Sequence, residues 1–600
     1  MQIEGLGGIV ADSRVRYGDS CVRNGATDGV IPLLSYALSL SFARRSLMKF
    51  TPYIYNMRKF LSFTFLLLLP FTVKGQTTDT EHNQAFARQL RILNRVLSNL
   101  DSYYVDTLDV KKIVDDGIDY MLYHLDPYTQ YIPKEESEEF LEQATGTYAG
   151  IGSPIIFRSD LNRCVFSFPY AGMPAEQAGV RTGDVILEID GEDVKRNEGE
   201  QPRDYSSRIT SLLRGDAGTT FKLGLRRPGV EEKVELMLTR RVIQTPSVDY
   251  YGMLNDEVGV IVVNSFMENT TRDVRRAFVA LKQQGMQRLL LDLRGNPGGL
   301  LSQAVGLVGC FVPNGTKVVS TKGKLPEYDE EFITDEEPLD TEIPLAVLVD
   351  YGSASSSEIT AGALQDYDRA IIVGERTYGK GVVQQTVELP YEGILKFTAS
   401  KYYIPSGRCI QAYDFKNRNE DGYPKHLPDS LAKTFYTTAG RPVKDGGGVV
   451  PDFEVRRDTV SDFVYELLNA NAVVDFVATY RNTRPQPDFT TFAFSDADYS
   501  AFKEAVKASS FEYKSSSLRM LDTLEKQMKA EAYEAKAEIA ALRQILQPSL
   551  DESLERYRKE ITMHLTDLII ASYVGSQKVI PYKFKHDKVL KRGQELLEQQ

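Results

Sequence analysis

Two segments of this 600-residue chain hold residues that can do chemistry together. In the first, an apolar run at 345–349 enters Asp350-Tyr351-Gly352-Ser353-Ala354-Ser355-Ser356-Ser357-Glu358, and a helical pattern follows. Glycine and small side chains permit a sharp strand-to-helix turn. A serine at such a turn stands at a helix N-terminus, beside N–H groups that lack intrahelical acceptors. Those groups and the helix dipole suit a developing oxyanion, and the exposed hydroxyl suits a nucleophile. The same spacing has a plainer use, because Ser355-x-x-Glu358 is a capping box. Alone, the segment favours the cap, and Ser353, Ser356 and Ser357 compete for either role.

The second segment is Gly374-Glu375-Arg376-Thr377-Tyr378-Gly379-Lys380-Gly381, after a strand pattern at 370–373. It approaches the G-x-x-x-x-G-K of a phosphate-binding loop. Gly381, however, stands where that loop needs Ser or Thr for magnesium. Val382-Val383-Gln384-Gln385-Thr386-Val387 then reads as strand, whereas a phosphate loop opens a helix. Nucleotide binding is disfavoured, and no cofactor is expected. A lysine between glycines on a strand can instead be buried beside a serine. Desolvation lowers its pKa, and the neutral amine can take the serine proton. Such a Ser/Lys dyad needs no histidine. Gln384 lies four residues past Lys380, on the same face of a strand, and can orient the amine by a hydrogen bond. The alternative is a surface lysine in a turn.

Several elements must hold these segments. Strand patterns at 258–263, 288–293, 345–349 and 370–373 alternate with helical patterns at 271–284, 300–308 and 355–365. That alternation argues for a layered α/β core over 246–455. The segment 325–340 is acidic and reads as a surface loop. Upstream, Phe86, Leu90, Leu93, Val96, Leu97 and Leu100 recur at helical spacing, and a second helix at 110–125 stops at Asp126-Pro127-Tyr128. Residues 145–245 are glycine-rich with short strands. Residues 456–600 are helical and charged, notably 518–546 and 551–573.

Composition narrows the function further. The net charge of -12 disfavours nucleic acid, and the basic stretch 583–592 reads as solvated surface. Four cysteines, Cys21, Cys164, Cys310 and Cys409, form no CxxC pair, and with five histidines no metal-ligand spacing appears. Met57-Arg58-Lys59, the apolar stretch Phe60 to Val73 and the polar residues from Lys74 have the form of a secretory signal peptide at 57–75. The apolar run is short for a membrane span, and an uncleaved anchor is the alternative. A signal sequence belongs near a true start, so 1–56 reads as an extension upstream of translation at Met57 or Met48.

Four separated blocks then agree in order and spacing with one family. Asp292-Leu293-Arg294-Gly295-Asn296-Pro297-Gly298-Gly299, Gly352–Ile359, 361–367 and 374–385 resemble the C-terminal processing (tail-specific) peptidases, which are Ser/Lys-dyad serine proteases. The resemblance covers roughly 85–455. It implies Ser355 as nucleophile, Lys380 as general base and Gln384 as its orienting partner. It also implies an oxyanion hole from the N–H of Ser356 and of Gly298 or Gly299. Glu358 and Asp366 fall on motif positions and read as structural. The family more often has alanine at the place of Ser356. Pro174–Gly191 resembles the family's PDZ signature, with Tyr148-Ala149-Gly150-Ile151-Gly152 at the carboxylate-binding loop. Glycines there let successive N–H groups face a terminal carboxylate. The resemblance implies protein substrates with apolar C-terminal tails.

The expected fold is therefore multidomain α+β. The order is an extension (1–56), a signal peptide (57–75), an N-terminal helical segment (76–142), a PDZ domain (143–245), a layered α/β protease core (246–455) and a C-terminal helical domain (456–600). The last is open to core packing, dimerisation or adaptor binding. Secretion across the inner membrane, to a periplasm where one exists, follows from the leader. The competing reading is a PDZ-based scaffold with an inactive protease fold.

Overall fold

The computed structural model describes residues 77–419, 424–546 and 548–600, so the expected leader and upstream extension lie outside the described residues. The chain divides into two compact units, 1–113 and 114–600. In the first, helix Thr77–Tyr103 carries Phe86, Leu90, Leu93 and Val96 exposed. The elements that follow in the chain belong to the second unit.

Its core is a six-stranded sheet whose order follows the chain: β1 (Val248–Met253), β2 (Val258–Val263), β3 (Arg288–Asp292), β4 (Leu345–Val349), β5 (Ile371–Gly374) and β6 (Phe453–Glu454). β1 pairs antiparallel with β2, and all later pairs are parallel. Parallel strands are covered on both faces, which explains the unbroken apolar runs of β3 and β4. On one face, Ile261, Leu289, Leu291 and Val347 pack against helices α1 (Thr270–Gln283), α2 (Leu301–Gly309) and α3 (Ser356–Asp366). On the other, Val260, Leu290, Leu348 and Val373 pack against α4 (Lys588–Glu598), the last helix of the chain. The step of two between Leu289, Leu290 and Leu291 divides them between the layers. A Cβ on Gly593 would lie 2.9 Å from both Leu290 Cδ2 and Leu348 Cδ2, so glycine there lets α4 lie close on the sheet.

A second sheet joins Gln130–Ile132, Ile394–Tyr403, Lys317–Gly323 and Glu331–Ile333, with Val382–Glu388 on Ile394–Tyr403. The acidic segment 325–340 is thus not all loop, because Glu331–Ile333 pairs with Lys317–Gly323. Residues 155–239 form a separate antiparallel sheet whose edge strand is Ile155–Arg158. The strand Thr147–Gly150 pairs with Arg241–Gln244 beside it. This module rests on helix Asn471–Thr483: Arg158 meets Asp475 at 2.7 Å, and Arg181 reaches Asn482 at 2.9 Å.

The C-terminal helices are shorter than their periodicity suggests. The 518–546 stretch breaks into Ser516–Ala530 and Lys536–Leu546, with Ala532 at φ +60 between them. The 551–573 stretch breaks at Tyr557, whose ring stacks on Phe463.

Candidate active site

Ser355 is the N-cap of α3, with φ +54 and ψ -112. A non-glycine residue held there costs on the order of 1–3 kcal/mol and persists only where its surroundings impose it. The capping-box arrangement is in place on both sides, but its halves are unequal. Ser355 N–H donates to Glu358 Oε2 at 2.8 Å, while the Ser355 hydroxyl, turned toward the Glu358 N–H, makes no full hydrogen bond. The hydroxyl is left for other work. Its neighbours are not. Ser353 donates to Leu293 O at 2.8 Å, Ser356 to Gly299 O at 2.9 Å and Ser357 to Asn296 O at 2.9 Å. Among the four serines, the other three hydroxyls each donate to a carbonyl of the chain.

Glu358 is wholly buried and ties the two chemical segments together. Its Oε2 accepts the N–H of Ser355 and that of Lys380 at 2.9 Å. Its Oε1 accepts Gly379 N–H at 2.7 Å and the Thr377 hydroxyl at 2.6 Å. One carboxylate therefore holds the backbones of Ser355 and Lys380 side by side. Burial pushes its carboxyl up to about 7, against those four hydrogen bonds, which favour the charged form. Tyr402 makes a second tie, its hydroxyl donating to Ser355 O at 3.3 Å and its N–H to Gly381 O at 3.1 Å.

The Lys380 amine lies 4.6 Å above the centre of the Tyr128 ring. Burial, and then the charge of Lys396, bring it down from 10.5 to about 8, against the charges of Glu358 and Asp126. Asp126 accepts the N–H groups of Tyr128 and Thr129, each at 2.8 Å, and so shapes the turn that presents the ring. Ser355 Oγ and Lys380 Nζ make no hydrogen bond to each other here. Such contacts commonly tighten only when substrate binds.

Gln384 Nε2 donates to Thr398 Oγ1 at 3.3 Å and makes no hydrogen bond to the Lys380 amine here. The same-face expectation counted strand from Lys380 onward. The strand begins at Val382, so Lys380 precedes it and the strand alternation does not extend back to the amine.

The glycine loop lies directly against the nucleophile turn. Ala354 N–H donates to Asn296 O at 3.0 Å, and Gly295 N–H to Asp350 Oδ1 at 2.7 Å. At Gly298, φ is +98, and a Cβ would lie 2.8 Å from Ser355 Cβ and 2.9 Å from Ser356 N. No other residue fits so near the nucleophile. The Gly298 N–H is taken by Asn296 Oδ1 at 2.9 Å, whereas the Gly299 N–H has no acceptor among the described residues.

At the other expected site, the loop Gly150-Ile151-Gly152 leads to the edge strand Ile155–Arg158. Helix Pro202–Leu213 packs on that strand, with the Phe157 and Tyr205 rings 5.7 Å apart. Tyr148 lies beneath the loop, the Arg214 guanidinium over its ring at 5.2 Å, and burial raises its hydroxyl to about 12.

Sequence reasoning left Glu358 as merely structural and passed over Tyr128, Thr377 and Lys396. The signal for Tyr128 was present in Asp126-Pro127-Tyr128, which was read only as a helix stop.

A serine at a strained helix start, a buried lysine beside it and a separate antiparallel module are the arrangement expected of a serine hydrolase. Comparison with known proteins narrows the class. The profile of Peptidase family S41 matches 257–417, that of the PDZ domain 169–227, and "Probable PDZ-protease, C-terminal helical domain" 463–597. The carboxy-terminal-processing protease of Bartonella bacilliformis is 33% identical over 343 residues, spanning 56% of this chain and 76% of that protein. The "Probable CtpA-like serine protease" of Staphylococcus aureus is 35% identical over 339 residues, 56% of this chain and 65% of its own length. The solved photosystem II D1 C-terminal processing protease aligns at 27% identity over 60% of this chain and 92% of that one, with a TM-score of 0.32. The chain belongs to peptidase family S41, the carboxy-terminal-processing serine proteases, and it carries a PDZ domain.

Proposed function

We propose that the protein hydrolyses peptide bonds near the C-termini of other proteins through a dyad of Ser355 and Lys380. The observation that carries this reading is the Glu358 carboxylate, which holds both backbones on one oxygen atom. Lys380, neutral in a useful fraction, takes the proton as Ser355 Oγ attacks the scissile carbonyl. The tetrahedral oxyanion is held by the N–H of Ser356, at the first turn of α3, and that of Gly299. Gly298 supplies the close approach. The proton passes from Lys380 to the leaving amine, and water, deprotonated by the same lysine, hydrolyses the acyl-enzyme. Gln384 stands on the strand that follows Lys380, with its amide hydrogen-bonded to Thr398.

The PDZ domain selects the substrate by its tail. A C-terminal segment adds as a strand to the edge Ile155–Arg158, its carboxylate at the N–H groups of Gly150, Ile151 and Gly152. Ile156 and Leu212, both substantially exposed, supply apolar surface on that strand and on the facing helix. The test compares one apolar-tailed protein with its C-terminal amide. Losing a charge-assisted carboxylate contact of about 1.5–3 kcal/mol lowers kcat/KM roughly 10- to 100-fold for the amide. Equal cleavage of the two forms rejects tail recognition.

The leader-like pattern at 57–75 supports secretion. N-terminal sequencing of the mature protein is expected to begin close to Gln76. Mature protein carrying residues 1–47 would contradict both the leader and the upstream start.

A further inference from the structure

The C-terminal helical domain reaches the loop behind the nucleophile. Arg294 begins that loop, directly after β3. Its guanidinium forks between two carboxylates, one on each side. Asp292 accepts Nε at 2.9 Å and Nη2 at 2.6 Å. Asp587 accepts Nη1 at 2.9 Å and Nη2 at 2.6 Å. The Arg294 and Asp587 side chains are each less than one-fifth exposed, so solvent screens this pair weakly. Paired bidentate contacts fix the guanidinium in orientation as well as place.

Asp587 is itself held firmly. It is the N-cap of α4 and accepts Leu590 N–H at 2.9 Å. α4 lies on the sheet through Val589, Leu590, Leu596 and Leu597. Arg288, at the start of β3, donates to Leu597 O at 3.0 Å. The helix thus grips β3 at its start and, through Arg294, just past its end. The next residues in the chain meet the nucleophile turn: Gly295 at Asp350, Asn296 at Ala354 and Ser357, and Gly298 at Ser355. A shift of Arg294 moves all of them.

We propose that Asp587, from the last helix of the C-terminal helical domain, is a positioning residue that holds the oxyanion loop in place through Arg294. The inference rests on the reading of Ser356 and Gly299 as the oxyanion donors. Asp587 touches neither substrate nor the reacting atoms.

The test uses Asp587→Ser in the chain from residue 76 onward. Serine is also a good N-cap, so α4 keeps its start while the ion pair is lost. The expected result is a kcat roughly 10- to 100-fold lower with KM within about twofold, short of the full loss of an oxyanion donor. Affinity for a peptide aldehyde, which forms a hemiacetal oxyanion on the nucleophile, falls by the same factor. Affinity for the matching uncleaved peptide in the Ser355→Ala background stays level. Val589→Ala, which weakens the packing of the same helix, lowers the thermal midpoint and leaves kcat and aldehyde affinity intact. An unchanged kcat in Asp587→Ser overturns the proposal. So does a loss that leaves aldehyde affinity untouched or that Val589→Ala reproduces. If Asp587→Ser does not fold, Asp587→Asn, which keeps cap and volume, is judged by the same criteria. Activity that survives Ser355→Ala in the same assay rejects the nucleophile instead, so the two failures are told apart.

Discussion

Lys380→Ala and Lys380→Arg are both expected to abolish hydrolysis, with kcat/KM lower by roughly a thousandfold or more. Alanine removes the base. Arginine keeps the charge but cannot lose a proton at any working pH, so it cannot accept one from Ser355. The wild-type enzyme has a matching pH signature. Lysine is active as the neutral amine, and burial brings its pKa down to about 8. Activity therefore rises with pH through that value and levels off above it. Glu358, at about 7, adds to the fall on the acid side, because protonation gives up hydrogen bonds that only the carboxylate can accept. The kcat/KM profile from acid to alkaline pH checks both, and a flat profile argues against a lysine base. Lys380→Ala should cost little stability, since the fold holds this amine partly desolvated and without an ion-pair partner. Lys380→Arg keeps a larger, permanent charge in the same site and is expected to lower the thermal midpoint.

The second large effect belongs to Glu358. Alanine there strips the acceptor from three backbone N–H groups and one hydroxyl at once. An orphaned buried donor costs about 1–3 kcal/mol, so stability falls by about 3 kcal/mol or more, and Ser355 and Lys380 are no longer held to one point. Glutamine is nearly as damaging despite its shape. Each carboxylate oxygen accepts two donors, and an amide replaces one oxygen with a group that itself donates. Both variants are expected to lose at least roughly a hundredfold in kcat/KM together with several degrees in thermal midpoint. Full activity in Glu358→Gln would remove the carboxylate from the account.

How much of this was legible in the sequence varied with the range of the interactions. The α/β alternation of the core was readable because strands buried on both faces spell unbroken apolar runs. The N–H groups around Ser355 were foreseeable from a serine at a strand-to-helix turn. The capping box misled in an instructive way. Its residues were recognised, but how the Glu358 carboxylate is shared depends on Lys380 and Gly379 arriving from the turn after the next strand. The relation of Gln384 to the amine was not legible, because the strand starts only at Val382 and Lys380 stands in the turn before it. The C-terminal helices gave no hint of their place. The apolar positions of α4 show an amphipathic helix, yet nothing local says that its partner is β3, some 300 residues earlier. Of the roles left open for 456–600, packing on the core belongs to that helix.

The most direct measurement incubates the chain from residue 76 onward, as wild type and as Ser355→Ala, with a model protein ending in apolar residues. Mass spectrometry follows the products. The account predicts new fragments cut near the C-terminus with wild type and intact substrate with Ser355→Ala. Equal cleavage by the two would contradict it.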